Sequence, residues 1–147
     1  MPDNNMTDPA AAETPVAEHH NRYSVRWLRD WLALCPVLEG EEIHPDFLPA
    51  YEGWSFGIAK AEEKKDILGN PCRRLTLRLL LRRTIAGDED RLRAIERLDA
   101  LVAWAVENPP EGAGVKLREL GTFSSRASAG TEDFGALLEL KFINGIM

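Results

Sequence analysis

The chain has 147 residues, of which 44% are hydrophobic and 29% charged, and its formal net charge is −6. That length suits one domain with its own core rather than two, and the composition is that of a globular chain, not a disordered or fibrous one. The charge is unevenly placed: residues 1–20 take −4 of the −6, and the nearly neutral remainder lacks the cation surplus that general affinity for phosphate backbones requires.

Residues 1–20 read MPDNNMTDPAAAETPVAEHH, with three prolines and hardly a large apolar side chain. They bury too little surface to offset ordering entropy, so residues 1–21 are expected to be a flexible acidic tail ahead of a single α+β domain over 22–147. His19 and His20 are adjacent and lack the spacing of a metal site. The start has no signal-peptide pattern, and no apolar run approaches the roughly 20 residues of a membrane span, so synthesis in the cytosol and no membrane partner are expected. Cys35 and Cys72, the only cysteines, stand far apart outside any CxxC pattern and read as reduced packing residues.

From Ser24, SVRWLRDWLALCP places Trp27, Leu28, Trp31, Leu32 and Cys35 on one face of a helix that Ser24 can cap and Pro36 stops. Two tryptophans a turn apart can line a pocket, but on an apolar stripe they are more often core. VLEGEEIHPDFLPAYEG is rich in Gly and Pro and is expected to be an irregular connection anchored by Ile43, Phe47 and Leu48. WSFGIAK alternates Trp54, Phe56 and Ile58 and suits a half-buried strand, and AEEKKDILGNP is expected to be a loop.

RRLTLRLLLRRT, residues 73–84, sets Leu75, Leu77, Leu79 and Leu81 on one parity and Arg74, Thr76, Arg78, Arg82 and Thr84 on the other, with Leu80 the exception. This period of two predicts a strand with leucines inward and arginines outward. After Gly87, Asp88 is expected to cap a long helix whose apolar stripe is Leu92, Ile95, Leu98, Val102 and Ala105. Glu89 and Arg93 can pair along it. GVKLREL and FGALLELKFI give two more strands, and the Gly/Ser/Ala-rich segment between them is expected to be mobile. The order helix, strand, strand, helix, strand, strand predicts an α+β fold: a mostly antiparallel four-stranded sheet covered on one side by two helices.

Nothing in the chain has the pattern of a phosphate-binding glycine loop, a nucleophile elbow or a zinc ligand set, and His44 is the only histidine within the expected domain. No catalytic residues, metal or cofactor are therefore assigned. Glu96 and Asp99 sit three apart, but with Arg93 and Arg97 beside them a solvated charged face is the better reading. Arg74, Arg78 and Arg82 recur about 13 Å apart at ~3.3 Å per residue, wide for successive phosphates of one strand, with no aromatic residue interleaved for base stacking. A subunit or channel interface is the preferred role for these three, against a plain solvent-exposed face.

The run LRDWLALCPVLEGEEIHPDFL, the later LVAWAVENPPEG and the terminal strand resemble a family of tailed-bacteriophage minor capsid or tail terminator proteins. The residues that carry the likeness are Leu34, Cys35, Pro36 and Leu38, then Ile43, Asp46 and Leu48, and Trp104 with Pro109. The resemblance implies a structural virion protein rather than an enzyme: a homo-oligomeric ring, six to a ring, that caps the tail tube and meets a head–tail connector or neck protein. DNA would pass through unread. It further implies that the loop holding Phe123, Ser124, Ser125, Arg126, Thr131 and Asp133 contacts the tube. Rival readings are another neck or minor capsid component, a small ligand-binding domain or enzyme using the tryptophans, and a nucleic-acid binder using the arginine strand.

Overall fold

A computed structural model describes residues 25–121 and 130–143. In chain order these form α1 (Val25–Leu32), a 3-10 turn (Pro36–Leu38), β1 (Ile43–Pro45), β2 (Gly53–Lys65), β3 (Pro71–Thr84), α2 (Asp88–Glu107), β4 (Ala113–Gly121) and β5 (Thr131–Ile143). The segment expected to be an acidic tail, residues 1–21, lies outside the described residues.

The period-two pattern of the leucine/arginine stretch builds the centre of one sheet. Leu75, Leu77, Leu79 and Leu81 are buried on one face of β3. Leu77 stands between Ile58 of β2 and Leu138 of β5, and Leu81 between Trp54 and Phe134. Both helices cover this face, so each of these leucines contributes about 1.5–3 kcal/mol of burial. The opposite face carries Arg74, Thr76, Arg78, Leu80 and Arg82.

The sheet corrects the expected architecture. It is mixed and five-stranded, in the order β1-β2-β3-β5-β4, and the chain order is helix, three strands, helix, two strands. The additional strand, Ile43–Pro45, pairs in parallel with Trp54–Phe56 at the sheet edge. Three residues ending in a proline are too short to leave an alternating pattern, so the segment reads as a loop until Ile43 is seen buried in the core. The crossover from β1 to β2 lies against the open face, where Pro49 and Asp46 crowd Gly53 and Gly57. A Cβ on Gly53 would lie 2.7 Å from the Pro49 ring, and one on Gly57 would lie 2.2 Å from Asp46 Oδ1. Asp46 opens this crossover in the left-handed region (φ 50°), which short polar side chains tolerate better than most.

The expected loop after residue 60 is also corrected. β2 and β3 run on as a paired hairpin to Lys65 and Pro71. Glu62 to Lys65 are polar at every position, so this part of the strand carries no apolar alternation to read. α2 begins at Asp88 with Gly87 as its N-cap, so Asp88 is its first helical residue and not the cap. Its buried stripe is Ala94, Leu98, Leu101, Val102 and Ala105, whereas Leu92 is 54% exposed. The small Ala94, a weak apolar signal, is what faces the sheet. Trp31 donates its indole N–H to the Asn108 carbonyl at 2.8 Å and fastens α1 to the end of α2.

Candidate functional site: the open sheet face and an aromatic groove

The three arginines proposed from the sequence do share the open face, but they differ in what they can still do. Arg82 is spent inside the chain. Its Nε and Nη2 donate to both oxygens of Asp133 at 2.7 and 3.0 Å, and its Nη1 donates to the Pro49 carbonyl at 2.8 Å. The bond to Asp133 pushes the guanidinium above its ordinary pKa, with the charge of Asp133 adding to it against the effect of burial. Arg78 sits 3.5 Å from Asp46 and is half-buried, its side chain 40% exposed. Arg74 lies 3.4 Å from Glu139, a carboxylate that Lys116 also approaches at 3.3 Å.

β-Bulges gather further charge around Arg74. Register shifts between Ile58 and Lys60 in β2 and between Leu117 and Glu119 in β4 re-aim the side chains beyond them. A polar cleft of about 190 Å³ results, lined by Lys60, Lys64, Arg74 and Arg118 with Glu62 and Glu139. Lys60, at 2.7 Å from Glu62, holds that carboxyl below its ordinary pKa chiefly through the hydrogen bond. The arginine face is therefore a mosaic of ion pairs rather than a bare cationic stripe.

Of the residues assigned to a tube-contact loop, Phe123, Ser124, Ser125 and Arg126 lie outside the described residues. Thr131 and Asp133 belong to β5 and are buried, Asp133 by its partnership with Arg82. Glu96 and Asp99 are exposed on α2. Arg97 instead reaches back to Glu39, Glu41 and the Val37 carbonyl at 3.0–3.3 Å. Arg97 and Arg83 both lie over the buried Trp54 ring, at 5.9 and 5.8 Å from its centroid. Cys35 and Cys72 are free and buried, and burial pushes the Cys35 thiol above its ordinary pKa, which keeps it protonated at neutral pH. Among the described residues, no group of three His, Cys, Asp or Glu is placed to hold a metal, and no helix is long and apolar enough to cross a membrane.

Two further surface features stand out, one weighed in the sequence only as the lesser reading of Trp27 and Trp31 and the other not read there. The first is an open groove of about 750 Å³ between α1 and the end of α2, walled by Trp27, Trp31, Leu34, Trp104, Pro109 and Pro110. Trp31 and Trp104 pack with ring centroids 5.8 Å apart, and the charged residues of the lining, Asp30 and Glu111, are both acidic. The second is the tip of the β2–β3 hairpin, where Ile67 and Leu68 are 101% and 84% exposed. The signal for it was an apolar pair set between Asp66 and Gly69 in an otherwise polar run.

No protein-family model matches the chain, and a search of the curated proteins finds none similar to it. What the geometry defines is an α+β domain with one face of a mixed sheet packed under two helices and the other carrying ion pairs.

Proposed function

We propose that this protein is a structural subunit of a tailed-bacteriophage virion, a tail terminator that caps the tail tube as a ring where head and tail join. Its partners in that reading are further copies of itself, six to a ring, the tail tube protein and a head–tail connector or neck protein. Genomic DNA passes through the ring without its sequence being read. The alternative within the same class is another neck or minor capsid component.

The observation that carries the reading is where the residues of the family resemblance fall. Cys35, Leu38 and Ile43 are buried where α1, the 3-10 turn and β1 meet, and Pro36 opens that turn. Leu34, Trp104 and Pro109 line the exposed groove. The likeness thus includes a surface feature as well as core anchors, and exposed aromatic and apolar surface is what protein contacts use. The ion-paired arginine face argues for a protein or solvent neighbour rather than for tight nucleic-acid binding, because Arg74, Arg78 and Arg82 already have carboxylate partners.

The test is a tube-growth assay. Purified tube protein is polymerised with and without this chain, and tube lengths are measured by negative-stain microscopy. A terminator arrests growth and narrows the length distribution; unaltered lengths at saturating concentration would exclude the role.

A further inference from the structure

The hairpin tip is built to hold its apolar pair outward. Asp66 donates its backbone N–H to the Asn70 carbonyl at 2.9 Å, and its own carbonyl accepts from Gly69 N–H at 2.9 Å. Its side chain accepts from the N–H groups of Leu68 and Asn70 at 2.9 and 2.8 Å. Gly69 takes the left-handed conformation (φ 85°) that closes such a turn. Ile67 and Leu68 therefore stand in water on a turn that is already ordered, so a partner that covers them gains their burial and little entropy remains to be lost.

We propose that the Ile67–Leu68 tip of one copy seats in the Trp27/Trp31/Trp104 groove of another copy. The apolar pair matches the aromatic and proline walls. Lys65 on the hairpin matches Glu111 on the groove. Lys64 and Asp30 are engaged already, Lys64 with Glu62 and Asp30 with Arg29, each at 3.5 Å. Asp66, the acid of the tip, is spent on the turn itself. Tip and groove are different patches, so the contact is head to tail, and repeated by rotation it closes a ring. The inference rests on the ring reading above and names the two surfaces that would make it.

The test is thiol cross-linking of the full chain. Leu34→Cys, in the groove, is combined with Leu68→Cys, at the tip; both sites are exposed, whereas the native cysteines are buried. The control combines Leu68→Cys with Leu92→Cys, an exposed site on α2 that is not part of the groove lining. Docking raises the local thiol concentration, so intermolecular disulfides are expected to form at least about tenfold faster in the first pair. Adding Ile67→Asp is expected to remove that excess. A ladder ending in one closed species upholds both contact and ring. Dimers alone uphold the contact and overturn the ring. Disulfides confined within single chains, or formed no faster than in the control, overturn the contact, and the tube-growth assay then judges the ring separately.

Discussion

Replacing Arg82 by methionine separates an arginine that holds the fold from one that faces outward. The Arg82 side chain is 16% exposed and that of Asp133 10%, and the pair shares two hydrogen bonds, with a third to Pro49. Methionine keeps much of the aliphatic volume but leaves Asp133 nearly buried without its cation. Removing one partner of a fully buried pair costs about 3–5 kcal/mol, and the residual exposure here brings the expectation to about 2–4 kcal/mol. For a domain of this size that lowers Tm by roughly 10 °C, with the crossover around Pro49 loosened as well. Urea unfolding followed by tryptophan fluorescence reads the loss directly. Arg78→Ala, whose pair with Asp46 is exposed, is expected to stay within about 0.5 kcal/mol of the parent. The double variant Arg82→Met/Asp133→Leu should recover most of the loss, because no unpaired charge is left. If Arg82→Met and Arg78→Ala unfolded alike, the division of the arginine strand into an internal tie and a surface residue would be wrong.

Other substitutions test other parts of the structure. Leu77→Ala should cost about 2–5 kcal/mol in the same urea assay, since Leu77 is fully buried between Ile58 and Leu138. A loss like that of Arg78→Ala would refute the facial assignment. Gly53→Ala, which meets the rigid Pro49 ring, should cost about 1–3 kcal/mol. Gly57→Ala should cost less, because it displaces the flexible ends of Asp46 and Arg78 rather than a ring, and the reverse order in thermal melts would contradict the crossover's placement. Glu62 has a lowered pKa when folded, so its contribution is present above its unfolded pKa and lost as pH falls through the folded value. Glu62→Gln should therefore flatten the acid limb of the stability profile below the ordinary carboxylate range; an unchanged limb would count against the Lys60–Glu62 pair. Duplex DNA should not be retained on a filter at about 0.15 M salt, and steeply salt-dependent retention would favour the nucleic-acid reading instead.

The legible parts of the fold are those where one face is buried and the other is wet along the whole element. Trp54, Phe56 and the β3 leucines announce themselves by alternation, and Leu28, Trp31 and Leu32 by helical spacing. β1 was invisible because its pairing is decided by tertiary contact over three residues. The outer part of β2 was invisible because Glu62 to Lys65 are polar at every position and leave no apolar alternation to read. On α2 the hydrophobicity of Leu92 outweighed Ala94 in the pattern, although the smaller residue is the one that lets the helix approach the sheet. Among the candidate site residues, parity put Arg74, Arg78 and Arg82 together, but the Asp133 that neutralises Arg82 comes from a strand 51 residues away. The groove joins residues from α1 with the segment after α2, and no spacing rule relates those stretches.

Cryo-electron microscopy of tail tubes incubated with this chain addresses the proposed role most directly. The account predicts a closed ring of identical domains on one end of the tube, with a β2–β3 hairpin tip resolved in each neighbouring groove. Tubes whose ends stay bare, at concentrations where the chain is in large excess, would contradict it.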